Sequence, residues 1–198
     1  SPEKQCQHFV QCCTEGPLCH HSEECTNKIK SFNNRLLFKE HEVPVIFIGA
    51  GTCGLAAGAA KVEEAIRSEL SKQNIEAQIV RTGCIGYCAK EPIVDIKLPN
   101  GERIAYSEVT PKLVAKLIQT TIVEGGILQD NLLGSHERKS EVCTSMHDTP
   151  FFRHQKKIVL ENCGVIDPDS IDTYIASGGF KAINKALKLM KPEEVVQE

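Results

Sequence analysis

The chain has 198 residues, room for one large domain or two small ones, and 41% of them are hydrophobic, enough to build a packed core. A formal net charge of -3 offers no basic footprint for nucleic acid, and no apolar run is long enough for membrane insertion. Ten cysteines fall short of a small disulfide scaffold, which runs above roughly 8–10% Cys, and without a secretory h-region they are expected as reduced thiols in the cytoplasm, put to metal or redox use.

Three zones follow in chain order. Residues 1–41 are rich in Cys and His and poor in aliphatic side chains until Leu36, Leu37 and Phe38. They hold Cys6, Cys12, Cys13, Cys19 and Cys25 with His8, His20 and His21. Neighbouring Cys-Cys and His-His pairs point to opposite sides of an extended chain, so one ion cannot take them all. A site drawn from Cys6, Cys12, Cys13, Cys19, His20 and Cys25 is expected, holding zinc or a second iron–sulfur cluster. The competing reading is a thiol-rich docking segment, because the spacing matches no standard knuckle.

Residues 42–134 read as a compact α/β unit. Val43–Ile48 is a short apolar run, the pattern of a buried strand. A glycine-rich turn, 49–54, leads into a helix expected over Ala56–Gln73, whose Ala59, Val62, Ala65, Ile66 and Leu70 recur near helical spacing. Lys61, Glu63, Glu64 and Arg67 are expected on its solvated face. Ala77–Arg81 and Ile93–Leu98 read as strands. Pro99-Asn100-Gly101 predicts a hairpin of type I′, with Arg103–Tyr106 as the returning strand. Thr110-Pro111 predicts the N-cap and first position of a helix that Gly125-Gly126 ends. The order β-α-β-β-β-α is that of a small thioredoxin-like sandwich.

A polar linker, 134–149, separates this unit from residues 150–198. There Ile158-Val159-Leu160 reads as a short strand, and Asp167-Pro168 as the start of a helix that Gly178-Gly179 stops. Phe180–Leu189 reads as another helix, and "KPEEVVQE" as the start of a last one.

Three cysteines belong to the middle zone. Cys53 follows the first strand in "GAGTCGLAAGAA", and Cys84 and Cys88 lie in the loop after the second, in "RTGCIGYCAKEPIV". Strand ends on one side of a sheet converge, so the two loops are expected to meet. Gly51, Gly54, Gly83 and Gly86 are expected to serve a bound cofactor, because glycine lets backbone N–H groups approach thiolate sulfurs and stabilise their charge. The spacing Cys-x3-Cys suits an iron–sulfur cluster and also a zinc knuckle. For Cys53 alone, a small buried hydrophobe is the competing reading. Cys143, in the linker, and Cys163 carry no expected role.

The stretches "GTCGLAAGAAKVEEAI" and "RTGCIGYCAKEPIVDIKLPNGERIAYSEVTPKLVAKLI" resemble the thioredoxin-like [2Fe-2S] ferredoxin domain at the N-terminus of NADH dehydrogenase-type flavoprotein subunits. These are the diaphorase (beta) subunits of NAD(P)-linked iron-only hydrogenases and formate dehydrogenases. "PFFRHQKKIVLENCGVIDPDSIDTYIASGGFKAINKALK" is similar to the segment that opens the FMN- and NADH-binding domain there. The fold so implied is α/β: a thioredoxin-like ferredoxin domain, a Cys/His-rich N-terminal segment and the helical start of a flavin domain. The resemblance implies a [2Fe-2S] cluster on Cys53, Cys84 and Cys88. The family's fourth cysteine falls at Ile48, which cannot ligate iron. It also implies FMN and NAD(H) in chain that would follow residue 198, partner iron–sulfur subunits, and electron transfer in a multisubunit oxidoreductase. The competing expectations are a cluster-less docking or assembly module and a zinc-binding interaction domain.

Overall fold

A computed structural model of the chain describes residues 23–198, apart from the side chains of Glu24, Cys25, Thr26 and Lys28. The expected N-terminal ligands Cys6, Cys12, Cys13, Cys19 and His20 therefore lie outside the described residues, as does the side chain of Cys25. The chain divides into two compact units, one of them His41–Asp167 and the other, as described, residues 23–40 with Pro168–Glu198. Residues 134–167 thus fall with the sheet, where the sequence zones had separated a linker and a third segment.

In the first unit, strands β1 (Val45–Gly49), β2 (Gln78–Thr82), β3 (Val94–Lys97), β4 (Arg103–Tyr106) and β5 (Leu132–Ser135) form one sheet in the order β2-β1-β3-β4-β5. β1 and β2 are parallel, and the remaining pairs are antiparallel. The mixed α/β class expected from the sequence stands. β5 lies at the edge of the segment expected as a linker, and a bridge from Ser135 to Ser145 ties that segment down.

Period-two alternation sorts the side chains between two faces. Ile46, Ile48, Val94, Ile96, Ile104 and Tyr106 are buried on one face, in a single core with Ala59, Val62, Ile66 and Leu70 of the following helix and Val114, Leu117 and Ile118 of a later one. Burying each large aliphatic side chain stabilises the fold by roughly 1.5–3 kcal/mol, so this face supplies most of the unit's stability. The helix expected over 56–73 is broken: α2 (Thr52–Ala57) ends at Gly58, whose φ of 103° starts α3 (Ala59–Gln73) on a new axis. α4 (Val114–Ile118) begins one turn beyond the expected Thr110-Pro111 cap, which forms a turn with Leu113 N–H donating to Thr110 O.

The hairpin differs from a type I′ turn. Gly101 N–H donates to Leu98 O at 3.0 Å, so Pro99 and Asn100 are the central residues. Proline cannot take positive φ, so Asn100 does (60°), and the turn is of type II character.

Glu63 is the clearest correction to the expected solvated helix face. It is buried and accepts from Arg67 Nη2 at 2.8 Å and, across from the helix, from Arg81 Nε of β2 at 2.8 Å. Burial alone would raise its carboxyl, but the two guanidinium groups outweigh that and hold its pKa below the ordinary value.

Among the described residues, the second sheet face is covered by no α-helix, only by loop and a short 3-10 turn, Met146–Asp148. Ile85, Ile93, Ala105, Met146 and Phe152 are buried together there, so the chain after β5 acts as a strap across it. The expected strand Ile158-Val159-Leu160 is instead a run of turns within that strap, with Ile158 and Val159 largely exposed. None of the sheet's strand pairings includes these residues.

The other unit holds α1 (Glu23–Leu36), α5 (Ile171–Ala176), α6 (Lys181–Leu189) and α7 (Pro192–Gln197), with α1 lying against α5. The cap of α5 is Ser170, whose Oγ accepts from Thr173 N–H, rather than Asp167. Gly178 and Phe180, both at positive φ, turn the chain into α6. The acidic start of α7 is a capping arrangement, with Lys191 N–H donating to Glu194 Oε2 at 2.7 Å. No described helix is long and apolar enough to cross a membrane.

A three-thiol candidate metal centre at the sheet edge

Because β1 and β2 are parallel neighbours with Gly49 opposite Thr82, their C-terminal ends open on one edge of the sheet. The loop after β1 carries Cys53 into the first turn of α2, and the loop after β2 carries Cys84 and Cys88. The three Sγ atoms all lie within 4.8 Å of one another, and Cys84 and Cys88 stand 3.6 Å apart. Two thiolates on one tetrahedral metal, with bonds of about 2.3 Å, stand roughly 3.8 Å apart. The donor set therefore fits a thiophilic metal or an iron–sulfur cluster.

Backbone geometry fits an anionic centre as well. Gly86 has φ 95°, and its N–H donates to Cys84 Sγ at 3.2 Å. Gly51 brings the two loops together: a Cβ there would lie 3.1 Å from Cys84 Cβ and 3.2 Å from Cys84 N. Gly54 sits in the first turn of α2 against the Gly49 carbonyl, and Gly83 immediately precedes Cys84. Gly86→Ala should lower stability by about 1–2 kcal/mol, because an L side chain resists this left-handed backbone. A urea titration of the metal-free protein measures it, and an unchanged midpoint would show that the loop reaches another conformation without strain.

Around the thiols the environment is mixed. Contact with the Cys84 sulfur, followed by burial, pushes the Cys53 thiol above its ordinary pKa. Glu91 approaches from below, with Oε1 3.9 Å from Cys53 Sγ and Oε2 accepting from Ile93 N–H at 2.8 Å. Burial raises its carboxyl above the ordinary range. Tyr87 stacks face to face on Phe151 at 3.9 Å, and Phe152 meets both rings edge-on. Glu91 and the Phe151-Phe152 pair had no signal as site neighbours in the sequence. The five described cysteines Cys53, Cys84, Cys88, Cys143 and Cys163 are free thiols.

No family model matches the chain. It is 25% identical over 95 residues to the NADP-reducing hydrogenase subunit HndB of Solidesulfovibrio fructosivorans, a match covering 48% of this chain and 75% of that subunit. It is 50% identical over 44 residues to subunit HndC of the same organism, covering 22% of this chain and only 9% of that one. Among solved structures, a thioredoxin-like [2Fe-2S] ferredoxin from Aquifex aeolicus matches 49% of this chain and 96% of its own, at 16% identity and a TM-score of 0.43. The HndB match supports the resemblance, drawn from the sequence, to the thioredoxin-like ferredoxin region of a hydrogenase-type subunit.

Proposed function

We propose that this chain is an electron-transfer part of a multisubunit NAD(P)H-linked oxidoreductase of hydrogenase or formate dehydrogenase type, and that Cys53, Cys84 and Cys88 hold a [2Fe-2S] cluster. The observation that carries the reading is the convergence of three thiols within 4.8 Å beside a backbone N–H aimed at one of them. The hydrogenase subunits among its relatives support the kind of assembly.

Such a cluster, when bound, accepts and returns one electron at a time. The chain's own residues set the conditions. Gly86 N–H stabilises charge on the Cys84 sulfur, and Gly51, Gly54 and Gly83 keep the backbone close. The Tyr87–Phe151–Phe152 aromatic group excludes water from one flank. Ile158 and Val159, exposed on the same strap, offer an apolar contact for a partner iron–sulfur subunit. On this reading the bound cluster would link a flavin (FMN, reduced by NAD(P)H) with partner clusters. The N-terminal Cys6, Cys12, Cys13, Cys19, His20 and Cys25 are proposed as a second metal site, for zinc or a further cluster. The free thiols fit a reducing, cytoplasmic setting.

An EPR-monitored redox titration of the anaerobically purified chain tests the reading. We expect one signal that appears and disappears reversibly with a one-electron slope. A protein that stays EPR-silent after dithionite, while holding zinc at these thiols, would support a structural interaction domain instead.

A further inference from the structure

We infer that Cys163 supplies the fourth thiolate of the site formed by Cys53, Cys84 and Cys88. The inference rests on the cluster reading above. A [2Fe-2S] cluster takes four protein ligands, and three thiols converge here. Position 48 cannot supply the fourth: the Ile48 side chain is fully buried in the helix-side core with Ile46, Val62 and Ile66, on the face away from the strap.

The strap brings the missing donor. Phe151 stacks on Tyr87 between the two loop cysteines, so the strap is fastened to the cluster loop itself. Further along, Gly164 packs so tightly on Ile85, the residue after Cys84, that a Cβ there would collide with Ile85 Cγ2. Between these two attachments, a turn in which Cys163 N–H donates to Leu160 O presents the thiol to the residue before Cys84. A Cβ on Gly83 would lie 3.7 Å from Cys163 Sγ. Lys157 holds its ammonium 5.1 Å over the Phe152 ring, a further tie along the same strap. Cys143, the other described thiol outside the trio, packs instead at the edge of the helix-side core. Glu91 is the rival ligand, but its Oε2 is already engaged by the Ile93 N–H. On binding, Cys163 gives up its thiol proton to solvent and forms one sulfur–iron bond, with no change of oxidation state.

The test uses the full chain, purified anaerobically, with iron, acid-labile sulfide and the EPR spectrum of the dithionite-reduced form as readouts. Cys163→Ala should lose about half or more of its iron and sulfide, because an open iron site hydrolyses. Cys163→Ser should keep part of the cluster with shifted g values, since an oxygen ligand changes the iron it binds; a merely structural thiol would leave the spectrum alone. Cys143→Ser and Ile48→Cys should both keep the wild-type spectrum. Wild-type g values and metal content in both Cys163 variants would overturn the inference. So would a change confined to Glu91→Gln. A wild-type chain with neither iron nor sulfide would overturn the cluster reading itself, and this inference with it.

Discussion

Cys84→Ala should abolish the cluster, bringing the visible absorption and the reduced-state EPR signal to background. Cys84 is the most engaged of the three thiols: its sulfur stands 3.6 Å from Cys88 and accepts the Gly86 N–H at 3.2 Å, and its backbone abuts Gly51. Losing it removes a ligand together with the N–H–sulfur contact that stabilises the centre. The fold should survive, because Cys84 is a half-buried loop residue outside both apolar cores. The loss in stability of the metal-free protein should stay within about 1 kcal/mol, the scale of an ordinary point change. A variant that keeps wild-type colour and signal would place the metal elsewhere, the N-terminal thiols being the first alternative. A variant that fails to fold would show that the loop holds the sheet edge together.

Asp95→Ala should be the most destabilising single change in the sheet, by about 3–5 kcal/mol, because it strands a buried charge. Asp95 Oδ2 accepts from Arg103 Nε at 2.9 Å and Nη2 at 2.5 Å and pairs with His136 Nε2 at 2.9 Å. The Arg103 guanidinium in turn lies 3.5 Å over the Phe47 ring. These residues sit on the strap side of β1, β3 and β4, so the ion pair replaces a helix-packed core there. Burial works against the Asp95 charge, but Arg103 and His136 outweigh it and hold its pKa below the ordinary value. The sign follows. A carboxylate with a lowered folded-state pKa stabilises the protein above its unfolded pKa of about 3.9, and that contribution is lost as pH falls through the folded value. Glu63 acts in the same sense, from an unfolded value of about 4.3. Wild-type stability should therefore drop as pH falls below about 4, and Asp95→Ala should remove part of that dependence. Urea unfolding at neutral pH and at pH ~3 measures both effects. An Asp95→Ala variant within about 1 kcal/mol of wild type at neutral pH would show that Arg103 finds another partner or reaches water.

The sequence exposed the sheet well, because its first four strands are apolar or alternating runs bounded by glycine, proline or Asn-Gly, signals local to a few residues. It also led to the meeting of Cys53 with Cys84 and Cys88, since adjacent parallel strands must open their loops on one edge. What it hid depends on long-range packing. Glu63 reads as surface on helical spacing alone; its burial follows from Arg81, which β2 sets beside it. β5 has only the four residues Leu132–Ser135, two of them Gly and Ser, too short a pattern to separate from a linker. Ile158-Val159-Leu160 has the composition of a strand, but the strap holds it in turns, with Ile158 and Val159 exposed rather than paired. Cys163 looked like a stray thiol, because its place beside Gly83 comes from the aromatic fastening of Phe151 and Phe152 to Tyr87.

Quantifying iron, acid-labile sulfide and zinc in the anaerobically purified wild type, beside Cys84→Ala, tests the central claim most directly. A [2Fe-2S] centre on the three thiols predicts about two iron atoms and two sulfides per chain that Cys84→Ala loses. Zinc without sulfide, or iron and sulfide that persist undiminished in Cys84→Ala, would contradict it.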